Sequence, residues 1–144
     1  MIIEKPYKVA IIDDSTVMQK FLSEACRQVP NFEPHCFTDA HDALKFIERE
    51  KVRIVFIDIN MPSMFGDDVL RKCIQLKLGI QAYVITGADS LTIADRCMNV
   101  GARGIIPKPM LNEGFANALR ESERFFKQWN ETMRYFLKHK NPAA

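Results

Sequence analysis

Short aliphatic runs alternate with longer amphipathic segments along this chain, and three of the runs end in charged residues. Val9-Ala10-Ile11-Ile12 leads into Asp13-Asp14, Ile54-Val55-Phe56-Ile57 into Asp58, and Gly104-Ile105-Ile106-Pro107 into Lys108-Pro109. Such runs, separated by helix-length segments, read as buried parallel strands joined by crossover helices. In an open parallel sheet the carboxyl ends of the strands lie along one edge, where ligands bind. Three carboxylates and one ammonium are therefore expected to meet at one place. That set suits phosphoryl chemistry with a divalent cation.

Strands are expected over about residues 8–12, 33–37, 54–57, 81–85 and 104–106, and helices over about 16–29, 40–50, 67–76, 91–100 and 113–140. In the first helix Met18, Phe21, Leu22, Ala25, Cys26 and Val29 form an apolar stripe, with Lys20, Glu24, Arg27 and Gln28 opposite. Five βα units in one run predict a doubly wound α/β domain with right-handed crossovers and helices on both faces. The commoner order for such a five-stranded parallel sheet is 2-1-3-4-5, with its switch point between strands one and three. That point selects the loops holding Asp13-Asp14 and Asp58, so topology and charge reach the same spot independently.

A chain of 144 residues suits one domain with one sizeable core. Its net charge of +2 makes no electrostatic case for nucleic acid or membrane as a partner. No apolar stretch approaches a membrane span and Met1-Ile2-Ile3-Glu4-Lys5-Pro6 is no signal peptide, so a cytoplasmic protein is expected. Cys26, Cys36, Cys73 and Cys97 show no CxxC pairing, and His35, His41 and His139 add no ligand spacing. Reduced thiols are expected rather than a zinc site.

Two like charges roughly 4 Å apart repel by about 4 kcal/mol at an effective dielectric near 20. Three clustered carboxylates therefore need a cation, or one must hold a proton. Mg²⁺ suits them, because it accepts a few oxygen ligands and keeps waters or phosphate oxygens. With it in place an Asp can attack a phosphoryl group and hold it as an acyl phosphate. Lys108 would neutralise the phosphoryl charge, and Thr86, at the end of strand four, could donate a hydrogen bond to it. The plainer reading makes one of these acids a helix cap and leaves Asp58 in a solvated loop; Asp14 or Ser15 is expected to cap the first helix. Four such strand ends in one sheet outweigh that reading.

Over about residues 7–125 the chain resembles the response regulator receiver domains of two-component signalling. The residues that carry the resemblance are Ile11-Ile12-Asp13-Asp14-Ser15, Asp58-Ile59-Asn60-Met61-Pro62-Ser63-Met64-Phe65-Gly66, Thr86-Gly87-Ala88 and Lys108-Pro109-Met110. The resemblance implies a flavodoxin-like (βα)5 fold, like that of the chemotaxis regulators, with Asp58 as the phosphorylated residue. It implies Mg²⁺ held by Asp14 and Asp58, by Asp13 through water, and by the backbone carbonyl of Asn60. It gives Thr86 and Lys108 the phosphoryl oxygens and makes the Lys108–Pro109 bond cis. A histidine kinase or a histidine phosphotransfer protein is the implied donor, and the protein is a signalling phosphoprotein rather than an enzyme.

Two positions depart from the family pattern. Ile105 stands three residues before the Lys, where family members usually carry a rotating Tyr or Phe, so no swing of an aromatic ring carries over. Pro107 lacks a backbone donor and fits only an edge strand with that side unpaired. Gly87 leaves room for a phosphodonor. Asn60 and Ala88, where receivers tune dephosphorylation, offer no strong general base.

Phe115, Leu119, Ser122, Phe126, Trp129, Met133 and Phe136 recur at steps of 4, 3, 4, 3, 4 and 3, a heptad seam. The helix carrying them is expected to begin at Asn112 and stop at Asn141-Pro142, a length of about 42 Å at 1.5 Å per residue. Covering the sheet takes about half of that, which divides the chain into a receiver domain, residues 1–125, and an extension, residues 126–144. Aromatic residues crowd the extension, so it is expected to dock, most simply as a homodimer through Phe126, Trp129, Met133 and Phe136. Folding back on its own domain is the competing outcome. Residues 126–144 are too few for a separate output domain, so the chain is expected to be either a stand-alone receiver or part of a longer regulator.

Two other functions compete. A phosphatase of the haloacid-dehalogenase kind needs a second Asp two residues after the nucleophile, and Asn60 stands there. A receiver-like adaptor, acting mainly through contacts of the last helix, would typically have lost an acid or the Lys, and all are present.

Overall fold

The computed structural model describes residues 2–61, 65–87 and 91–140. The chain runs β1 (Tyr7–Ile12), α1 (Thr16–Arg27), β2 (Phe32–Phe37), α2 (Ala40–Glu50), β3 (Ile54–Asp58), α3 (Gly66–Gln75), β4 (Gln81–Thr86), α4 (Leu91–Val100) and β5 (Gly104–Pro107). A 3-10 turn over Lys108–Met110 then leads into α5 (Leu111–Lys138). The strands form one parallel sheet in the order β2-β1-β3-β4-β5.

Alternate residues of each strand feed opposite cores, as a period of two requires. Ala10, Ile12, Val55, Ile57, Ala82 and Val84 pack against α2, α3 and Cys97 of α4. Val9, Ile11, Phe56, Tyr83, Ile85 and Ile106 pack against α1 and α5. Central β3 is buried along its whole length, as expected for a strand covered on both faces.

Strand limits agree with the sequence reading to within a residue. α1 stops at Arg27 rather than 29, because Val29 precedes Pro30 and is pushed out of the helical region. The expected entry to the last helix at Asn112 is corrected to Leu111, with no side-chain cap. The 3-10 turn hands its hydrogen bonds directly to the helix, so a separate cap is not needed. Pro107 lies on edge strand β5, paired with Thr86 on one side only.

The expected cis bond at Lys108–Pro109 is also corrected. Among the described residues the cis peptide is Lys5–Pro6. A trans bond takes the chain from extended Pro107 (φ −64°, ψ 137°) into the turn, where the missing N–H of Pro109 costs nothing.

Phe126 corrects the expected docking seam. It is 1% exposed, its ring 5.2 Å from that of Tyr7. One turn on, the Asn130 side chain accepts from the N–H of Ile3 at 2.8 Å and donates to the Ile3 carbonyl at 2.9 Å. The N-terminal segment thus covers α5 past the point where the sheet ends. A straight helix drifts about 20° per heptad, so the buried line passes from Phe126 to Asn130 and leaves Trp129 at its flank. Trp129 is 41% exposed, Phe136 60% and Phe125 41%. Asn141 and Pro142, the expected stop, lie outside the described residues; helical geometry ends at Lys138.

Candidate functional site

Asp13 follows the last residue of β1, and Asp58 is the last residue of β3. Ser15 caps α1, its hydroxyl accepting from the Met18 N–H at 3.2 Å, and this leaves the exposed Asp14 carboxylate to the site. Asp13 Oδ1 accepts from the Ser15 N–H at 2.8 Å, and its carbonyl accepts from the Gln19 side chain at 2.6 Å. Asp58 Oδ1 accepts from the Asn60 N–H at 3.1 Å and lies 4.0 Å from Lys108 Nζ. One carboxylate oxygen from each of Asp13, Asp14 and Asp58 falls within 4.8 Å of the others.

The cluster is electrostatically unfinished. Asp13 Oδ2 is buried without a hydrogen-bond partner. A buried, unpaired carboxylate oxygen is costly. The Asp13 carboxyl is pushed up from 3.8 to about 6, first by burial, with Asp58 and Asp14 adding to the rise and the Ser15 N–H and Lys108 opposing it. Hard oxygen donors converging around an orphaned anionic atom fit a divalent cation such as Mg²⁺.

Thr86 closes β4, buried, paired in register with Pro107 and therefore beside the turn that carries Lys108. A Cβ on Gly87 would lie 3.2 Å from Lys108 Cδ; the missing side chain gives the lysine its path to Asp58. Gly66 does similar work for the β3–α3 loop, where a Cβ would sit 2.6 Å from Ile59 Cα. The sheet thus brings together Asp13, Asp14, Asp58, Thr86 and Lys108. Asn60 is exposed, its N–H turned to Asp58. Pro62, Ser63, Met64 and Ala88 lie outside the described residues.

One neighbouring feature escaped the sequence reading. A cleft of about 350 Å³ is lined by Val17, Met18, Phe21, Lys108, Pro109, Leu111 and Asn112. Val17 is 80% and Phe21 44% exposed. Phe21 reads as part of the apolar stripe of α1 and in fact stands at its edge. The adjacent pair Val17 and Phe21, one turn apart on a helix that also has a full core stripe, is the signal that could have found it.

The response regulator receiver domain model matches residues 9–120. The chain is 37% identical over 103 residues to the virulence-factors transcription regulator BvgA of Bordetella pertussis, covering 70% of this chain and 48% of that one. It is 27% identical over 123 residues to the response regulator protein TmoT of Ectopseudomonas mendocina, covering 85% and 56%. It spans about half the length of these curated relatives. A CheY-like response regulator receiver domain protein from Methanospirillum hungatei superposes with a TM-score of 0.77 at 24% identity, over 85% of this chain and 97% of that one. Among the described residues no helix is long and apolar enough to cross a membrane. With the acidic cluster, the lysine and the 2-1-3-4-5 sheet in place, the chain belongs to the response regulator receiver domain family.

Proposed function

We propose that Asp58 accepts a phosphoryl group from a histidine kinase or a histidine phosphotransfer protein in a Mg²⁺-dependent reaction, and that the modification switches partner binding. The observation that carries this reading is the unpaired, buried Asp13 oxygen beside Asp14 and Asp58, with Lys108 Nζ 4.0 Å from Asp58. Asp13, Asp14, Asp58 and the Asn60 carbonyl would hold the cation, directly or through water. When bound, Mg²⁺ offsets negative charge on the carboxylates and the incoming phosphoryl oxygens. An Asp58 oxygen forms the new O–P bond as the P–N bond to the donor imidazole breaks. Lys108 and the Thr86 hydroxyl then hold the phosphoryl oxygens, while Asp58 keeps its Asn60 N–H contact.

The apolar cleft beside Lys108 supports a donor presented on a helix, since Val17 and Phe21 offer adjacent apolar contacts one turn apart. Self-modification is the only chemistry in this reading, and the cytoplasm, where such donors act, is its place. Incubation with acetyl phosphate and Mg²⁺ tests it. One phosphoryl group per chain, labile to hydroxylamine and absent with EDTA, is expected; a hydroxylamine-stable label would contradict an acyl phosphate.

The extension of α5 is proposed to pair with a second copy through Trp129, Met133 and Phe136, with Phe125 taking the place of buried Phe126. Neutral Gln128 and Thr132 flank this face, and a two-fold axis, which sets a residue near its own copy, tolerates neutral flanks better than charged ones. Light scattering is expected to give a dimer for the intact chain and a monomer for Trp129→Glu. A monomer for both, with and without phosphorylation, would leave a fold-back or a different protein partner on this face.

A further inference from the structure

Among the described residues five polar ones are buried: Asp13, Asp58 and Thr86 at the site, and Ser122 and Asn130 on α5. Ser122 meets the sheet through Tyr83 of β4. The Tyr83 hydroxyl donates to the Ala118 carbonyl at 3.2 Å and lies 2.9 Å from Ser122 Oγ. A phenol has one proton, so Tyr83 donating to Ala118 accepts from Ser122. Both hydrogen bonds are buried, and they join β4 to α5.

The ring that carries the hydroxyl has little freedom. It stacks on Phe56, with centroids 5.2 Å apart and planes 18° apart, and Phe56 in turn meets Phe115 of α5 at 4.4 Å. On the other side it fills the space opposite Gly104, where a Cβ would come within 3.1 Å of Tyr83 Cδ1. Tyr83 therefore moves with its strand. Three residues further along β4, roughly 10 Å away, is Thr86. Ile105, in the place of the usual aromatic, has no group that could form a corresponding hydrogen bond.

We propose that Tyr83 is the positioning residue that couples the site end of β4 to α5. A displacement of β4 that brings the Thr86 hydroxyl toward a phosphoryl group on Asp58 also shifts the Tyr83 hydroxyl against Ala118 and Ser122. α5 must follow or lose its buried hydrogen bonds. This inference rests on the phosphoacceptor reading and extends it to the route of output.

Trp129, the chain's one tryptophan, lies on α5 and reports the helix directly. With acetyl phosphate and Mg²⁺ on the intact chain, phosphorylation followed by intact mass is expected to change Trp129 emission. Tyr83→Phe keeps the ring and removes the hydroxyl. It is expected to melt cooperatively and take up phosphoryl like the wild type, while its emission response falls by roughly fivefold or more. Ser122→Ala, which leaves the bond to Ala118, is expected to fall between the two. Full emission response in phosphorylated Tyr83→Phe would overturn the proposal, as would a phosphorylated wild type with no response. Failure of Tyr83→Phe to melt cooperatively or to be phosphorylated would assign Tyr83 a structural role and also overturn it. Absence of phosphorylation in the wild type would instead remove the phosphoacceptor reading, and the coupling with it.

Discussion

Asp13→Asn is expected to raise the melting temperature of the metal-free protein at pH 7.5 and to abolish the further rise that Mg²⁺ gives the wild type. The Asp13 carboxyl titrates near 6 in the folded chain against 3.8 as the ordinary value, chiefly because it is buried. Between those values the folded state binds more protons than the unfolded one, so stability falls as pH rises from 3.8 through about 6. Above that the ionised carboxylate costs roughly 1–3 kcal/mol, which the amide avoids. A cation reverses the sign by favouring the ionised form, and at 100 times its Kd it adds about 2.7 kcal/mol. Mg²⁺ affinity is accordingly expected to drop as pH falls below 6, and Asp14→Ala to lose the Mg²⁺ response as well. Thermal melts of the three proteins at pH 5 and 7.5, with Mg²⁺ and with EDTA, check this. A wild-type melt that Mg²⁺ leaves unchanged would contradict the cation assignment.

Gly66→Ala is expected to destabilise by about 3 kcal/mol, a large value for one methyl group. The added Cβ would stand 2.6 Å from Ile59 Cα and 3.1 Å from the Asp58 carbonyl oxygen. Both are backbone atoms, so a rotamer change cannot relieve the overlap, and overpacking of this kind typically costs 1–3 kcal/mol or more. Asp58 and the Asn60 N–H bonded to it sit on the displaced segment. Phosphorylation should therefore slow even at temperatures where the variant is folded. Denaturant titration together with a phosphorylation time course measures both effects. An Ala variant of wild-type stability would mean that the β3–α3 loop is far looser than the contact at Ile59 implies.

The sheet was legible because its signal is local. The run 54–57 is apolar without break, and the strand it forms ends in Asp58, whose charge the site uses. The same holds for the site, since strand-end positions and a parallel sheet are enough to bring Asp13, Asp14, Asp58 and Lys108 to one edge. What escaped the sequence reading is non-local. Phe126 and Trp129 occupy equivalent steps of a heptad seam, and Phe126 is covered by Tyr7 of β1 while Ile3 ties down Asn130 one turn on, contacts far apart in sequence. Phe21 likewise belongs to the stripe of α1, and its exposure depends on how far the turn at Pro109 reaches. The Lys108–Pro109 bond was expected to be cis from family likeness alone, and the 3-10 turn at Lys108–Met110 accommodates it as trans.

Asp58 alone is expected to take the phosphoryl group, and the decisive measurement is intact-mass spectrometry of wild type and Asp58→Asn after acetyl phosphate and Mg²⁺. One added phosphoryl is expected on the wild type and none on Asp58→Asn. A phosphoryl group retained by Asp58→Asn would contradict it.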